Sequence, residues 1–134
     1  MNTKEMEDQL NLIKSFIVQS NNKKILFIVP ESAGDIFLST SLLRSLKELY
    51  DPADIYFACK PEYKDLLKNN PYILKTIDYY PIMDSQVYME GTGQWPGLFD
   101  ISIMATILTQ RYLNYLNNGM GKIMFDLRYK NAST

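Results

Sequence analysis

Apolar and polar positions along this chain fall into blocks whose period changes at recognisable stops. Over residues 4–20, Met6, Leu10, Ile13 and Ile17 recur at helical spacing with Phe16 beside them, which predicts an amphipathic helix ended by Asn21 and Asn22. A continuous run then follows, Ile25-Leu26-Phe27-Ile28-Val29. Its length and its β-branched content predict a strand over 24–29 buried on both faces of a parallel sheet. Pro30 to Asp35 break that strand. From Ile36 to Tyr50 the period turns helical, with Phe37, Leu38, Leu42, Leu43, Leu46 and Leu49 on one broad face. Asp51-Pro52 ends the helix, because a residue before proline is pushed out of the α region.

The alternation then repeats. Residues 54–59 predict a second buried strand, Pro61 opens a helix over 62–68, and Asn69-Asn70-Pro71 closes it. A third strand is expected over 75–80 and a fourth over 99–104. Between them, residues 81–97 form the least regular stretch, a short helix and then a long loop carrying Gly91, Gly93, Pro96 and Gly97. Thr106–Leu116 fits a helix stopped by Asn117-Asn118-Gly119, and residues 123–127 are one further candidate strand. Strand, helix, strand, helix, strand demands right-handed crossovers, so the expected fold is an α/β, Rossmann-like parallel sheet with flanking helices. The expected organisation is an N-terminal helical extension over 1–22 and one Rossmann-like domain over 23–134.

Composition narrows the chemistry. The 134 residues suit one domain with one core. With 14 basic and 15 acidic residues, there is no electrostatic footprint for nucleic acid. The chain has no histidine and one cysteine, Cys59. That removes Ser-His-Asp and Cys-His nucleophilic sites and makes a zinc site a poor expectation. Neither a metal nor a cofactor is expected. No run approaches the roughly 20 apolar residues of a membrane span, and the polar, acidic start MNTKEMEDQL does not read as a secretory signal, so the expected location is cytoplasmic.

In open α/β sheets, ligands bind outside the carboxyl ends of the strands near the switch point, which directs attention to residues 30–36. Gly34 permits a tight turn and close approach of a ligand. Asp35 or Ser32 can cap the next helix, and a carboxylate there can also act as a general base on a hydroxyl. Taken alone, Asp35 is most simply a cap. The segment lacks the three spaced glycines of a dinucleotide site, and Gly119-Met120-Gly121-Lys122 is no P-loop. Tyr79, Tyr80, Tyr88, Trp95 and Phe99 gather around the irregular stretch. They either fill core and sheet edge or stack on a ligand or partner. The helix over 4–20 either packs on its own domain or docks on another chain.

The segment Lys24-Ile-Leu-Phe-Ile-Val, followed by Ser32-Ala-Gly-Asp-Ile-Phe-Leu-Ser-Thr-Ser-Leu-Leu-Arg-Ser-Leu-Lys47, resembles glycosyltransferase family nine, the ADP-heptose:lipopolysaccharide heptosyltransferases. The likeness continues through Lys60-Pro61-Glu62-Tyr63, Leu66-Leu67, Asn70-Pro71-Tyr72 and Phe99-Asp100-Ile101, spanning about residues 23–104. It implies the acceptor-side N-terminal half of a GT-B enzyme, with Asp35 as general base and Ser32, Ala33, Gly34 and Thr40 at the substrate. Val29 and Pro30 stand where the family often has a basic residue, and Ser41 replaces its helix proline. The resemblance further implies a glycan acceptor, a nucleotide-sugar donor and a C-terminal donor-binding half, without which the chain alone is expected to be inactive. The alternative is a non-catalytic module that keeps the fold and binds other protein subunits. A small flavodoxin-like nucleotide binder is a third reading, without a phosphate-loop signature to support it.

Overall fold

The computed structural model describes residues 1–30, Ile36 and 40–104. The chain enters through helix α1 (Thr3–Phe16) and reaches strand β1 (Lys23–Val29). Helix α2 (Leu43–Leu49) leads to strand β2 (Ala53–Cys59), and a 3-10 helix (Pro61–Leu67) leads to strand β3 (Lys75–Asp78). A second 3-10 turn (Pro81–Asp84) and the single-turn helix α3 (Gln86–Met89) precede strand β4 (Ile101–Met104). The four strands are all parallel, in the order β3-β2-β1-β4. The sheet is thus the expected Rossmann-like α/β arrangement.

That order fixes which connection covers which face. From β1 through β2 to β3 the chain steps one way across the sheet, then reverses to reach β4 on the far side of β1. Right-handed crossovers put the first two connections on one face and the third on the other. The core obeys this. Ile25, Phe27 and Val29 of β1 and Ile55, Phe57 and Cys59 of β2 pack with Leu43, Leu46 and Leu67 from the first two connections. Phe27 and Phe57 lie opposite in the register and stack at 5.5 Å. The alternate residues Leu26, Ile28, Tyr56 and Ala58 pack with Ile82, Met83 and Met89 from the third. Period-two alternation thus serves two cores at once, which is why β1 and β2 read as continuous apolar runs.

The third connection holds only two short helical turns, too little to cover its face. Helix α1 fills the remainder. Ile13 is fully buried against Tyr56 and Ile77, with Met6, Leu10, Phe16 and Ile17 around it. The helix is tied down as well: the Ile82 N–H donates to Gln9 Oε1 at 3.0 Å. Its apolar stripe is therefore spent within its own domain.

Several elements differ from the sequence pattern. Strand β3 ends at Asp78 rather than residue 80, β4 begins at Ile101 rather than residue 99, and a turn at 41–42 interrupts the helix expected over 36–50. Further differences have identifiable reasons. Helix α1 begins earlier than residue 4, because Asn2 caps it: its Oδ1 accepts from the Glu5 N–H at 2.8 Å, while its Nδ2 donates to Glu5 Oε1. The same helix ends at Phe16 rather than residue 20. Ile17 is already extended, the Val18 N–H donates to the Tyr56 hydroxyl at 2.8 Å, and Lys75 Nζ donates to the Phe16 carbonyl. Asn22 makes no left-handed stop but donates from Nδ2 to Asp54 Oδ1. The stretch after Pro61 is a 3-10 helix instead of an α-helix. Its end is as expected, with Asn69 left-handed at φ 70° and the Asn70 side chain accepting from the Tyr72 N–H. The helix expected over 106–116 and the candidate strand over 123–127 lie outside the described residues.

Candidate functional site

The switch point of this sheet lies between β1 and β4, whose neighbouring ends are defined by the register Ile28↔Met104. There one strand sends its connection towards β2, and the next is reached across the opposite face, the arrangement at whose carboxyl ends open α/β sheets bind ligands. Val29 is fully buried, Pro30 half-buried, and the chain is back in the core at Ile36, packed with Leu43 and Leu46. Ser32, Ala33, Gly34 and Asp35 lie outside the described residues, between those two anchors. Thr40 is helical, half-buried and engaged in a contact of its own. In sequence, all five candidates therefore follow the carboxyl end of β1, the strand that borders the switch point.

Elsewhere on the carboxyl edge, described polar side chains lie against one another. Lys64 Nζ lies 2.6 Å from Asp78 Oδ1, and the Tyr79 hydroxyl donates to Asp84 Oδ1 at 2.7 Å. Burial first, and then the Asp84 carboxylate, hold the Tyr79 phenol well above its ordinary range. Burial also pushes the Cys59 thiol up to about 11, so it stays a protonated, inert core group. Among the described residues, no group of three or more His, Cys, Asp or Glu side chains could hold a metal. Nor is any helix among them long and apolar enough to cross a membrane.

The amino edge is built differently. Asp54, only 7% exposed, accepts from Ser20 Oγ at 2.6 Å and from Asn22 Nδ2 at 3.0 Å. Burial alone would raise its pKa. The two hydrogen bonds and the nearby Lys47 and Lys24 outweigh burial and hold the carboxyl below its usual range. Together with the Tyr56 hydroxyl, Asp54 fastens residues 17–22 across the bottom of the sheet. Neither residue stands out in the sequence as an anchor. The one available signal was a lone aspartate and a lone tyrosine inside an otherwise apolar strand.

Beside this anchor runs an open groove of about 970 Å³ between the second half of α1 and the segment 87–100. One wall is a closed turn rather than the expected long loop. Gly91 and Pro96 bridge, the Thr92 N–H donates to the Trp95 carbonyl at 2.8 Å, and the Trp95 N–H donates to Thr92 Oγ1. Gly91 sits at φ +86°, and a Cβ there would strike the Trp95 carbonyl, so glycine is required. The aromatic set of the sequence divides here. Phe99 is buried edge-on to Tyr56 at 5.5 Å, and Tyr79 and Tyr80 are half-buried against the same core. Tyr88 and Trp95 stand out of it, Trp95 at 71% exposure.

Comparison with known protein families, with curated proteins and with solved structures finds no match to this chain.

Proposed function

We propose that this chain is the acceptor-side half of a sugar-transferring enzyme of the heptosyltransferase kind, acting with a donor-binding half. The observation that supports the reading is the all-parallel order β3-β2-β1-β4, in which β1 and β4 flank the switch point where such sheets bind ligands. The segment whose Ser-Ala-Gly-Asp turn resembles the heptosyltransferases is the one that follows β1. In this reading Asp35 accepts the proton of an acceptor hydroxyl as that oxygen bonds to the anomeric carbon of the donor. The bond from that carbon to the nucleotide diphosphate breaks, and the diphosphate leaves with its electron pair. Such a base contributes on the order of 10²–10⁴-fold, provided both substrates are held in line. Holding the donor is the task of the second half, so the described domain alone turns nothing over.

The test is reconstitution: the chain, a candidate donor-binding half, a nucleotide-heptose donor and a glycan acceptor. Transfer should require both halves, and Asp35→Asn should abolish it while leaving the thermal transition in place. A second reading, a non-catalytic module that retains the fold inside a protein assembly, is favoured by the exposed Trp95 and Tyr88 at the amino edge. It wins if no donor half yields transfer and the chain is recovered only in a multi-subunit complex.

A further inference from the structure

Among the described residues the sheet ends at β3 on one side and at β4 on the other. The outer edge of such a strand offers unpaired N–H and C=O groups to any extended chain, and charged side chains are an ordinary means of blunting it. Strand β3 carries Lys75 and Asp78 at its two ends. Strand β4, Ile-Ser-Ile-Met, carries no charge, and its one polar side chain, Ser102, is only 6% exposed. Left bare, β4 would be the more adhesive edge.

Side chains from α3 meet it instead. The Ser102 N–H donates to Glu90 Oε2 at 3.1 Å, and Gln86 Nε2 donates to the Ser102 carbonyl at 3.4 Å. Both backbone groups of Ser102 therefore point away from β1. A carboxylate oxygen and an amide N–H stand where the carbonyl and N–H of a neighbouring strand would stand. Gln86 opens α3 and Glu90 follows its last residue, four positions on, so one turn of helix aims both the same way. Backbone bonds continue the cover towards the amino edge, from the Leu98 and Phe99 N–H groups to the Tyr88 and Met89 carbonyls. The fit is close: a Cβ at Gly97 would strike the Met89 carbonyl, and Met89 itself is fully buried.

We propose that Gln86 and Glu90 form a clamp that closes the β4 edge, ending the sheet there and keeping copies of the chain from pairing edge to edge. The clamp occupies the hydrogen-bonding groups of the strand, so no extended chain can pair at Ser102 while α3 is in place. It rests on the bonding of β4 alone and does not depend on the glycosyltransferase reading.

Amide hydrogen exchange on the full chain reads the clamp directly. Glu90→Ala should speed exchange at the Ser102 amide by about tenfold or more, while amides of β1 such as Phe27 keep their protection. Glu90→Gln keeps an acceptor oxygen and should leave Ser102 protected. In sedimentation across a concentration series, wild type should stay at 15.6 kDa, and Gln86→Ala combined with Glu90→Ala should associate as concentration rises. Unchanged protection of Ser102 in Glu90→Ala would overturn the proposal, since a strand and not the clamp would then hold that amide. A double variant that stays monomeric at every concentration would overturn it too, as would wild type associating to the same extent. If the double variant loses its thermal transition, the contrast between Glu90→Ala and Glu90→Gln at Ser102 decides.

Discussion

At the carboxyl edge of the sheet, polar side chains pair locally and lie partly in water, as Lys64 does with Asp78 and Tyr79 with Asp84. At the amino edge, polar groups tie distant parts of the chain together beneath the surface. Tyr56 reaches back to Val18, and Asp54 reaches to Ser20 and Asn22. The difference teaches where stability and freedom sit in this fold. The bottom of the sheet is stitched to the N-terminal segment, while the described pairings at the top are lighter, at the edge where ligands of such sheets bind.

Substitutions can break that contrast, and the largest effect should come from the packing that brings the N-terminal segment into place. Ile13→Ala removes a fully buried side chain from the core under α1 and should cost about 2–5 kcal/mol in denaturant unfolding. Its neighbour Leu12, which is 42% exposed, should tolerate alanine with little change. Equal losses at both positions would mean that α1 does not pack as described. Tyr56→Phe leaves the Val18 N–H without its partner and should cost about 1–3 kcal/mol by the same measurement.

Acid should act through Asp54. Its folded pKa lies below the unfolded value, so its contribution is fully present above the ordinary aspartate range and is lost as pH falls through the folded pKa. Asp54→Asn should flatten this part of the stability–pH curve in an acid titration, and an unchanged curve would remove Asp54 from the anchor. Lys64→Ala should have the smallest effect. Its pair with Asp78 is more than a third exposed on the lysine side, and such pairs contribute about 0–1 kcal/mol. A loss larger than that at Tyr56 would reverse the contrast between the edges.

How much of this was legible in the sequence depended on whether the information was local. Ile25–Val29 and Ile55–Cys59 read as buried strands because both faces of the sheet are covered, and apart from the bonded Tyr56 hydroxyl they present apolar side chains to them. Asn69 read as a stop because its short polar side chain suits the left-handed backbone it adopts. The end of α1 was not legible. The apolar period runs on through Ile17, and only Tyr56, 38 residues away, takes up the Val18 N–H and turns the chain out of the helix. The Trp95 turn looked like a loop for a similar reason. Glycine and proline announce a break, but the closure comes from backbone bonds that no spacing encodes. At the candidate site, the parallel sheet and the position of the β1 end were foreseeable from alternation, whereas the order β3-β2-β1-β4 was not, because alternation does not say on which side of β1 the fourth strand adds. The aspartate's role rests on the resemblance of residues 32–47 to the heptosyltransferases, which local pattern does not carry.

The most direct measurement compares the two edges in one transfer assay, with wild type, Asp35→Asn and Trp95→Ala each combined with the same donor-binding half. Chemistry at the carboxyl edge predicts that Asp35→Asn loses at least about 10²-fold in kcat, the low end of what a general base supplies, with KM little changed. Trp95→Ala should turn over like wild type. Full activity in Asp35→Asn would contradict the assignment of the catalytic base, and loss of turnover in Trp95→Ala alone would move the chemistry to the opposite edge of the sheet.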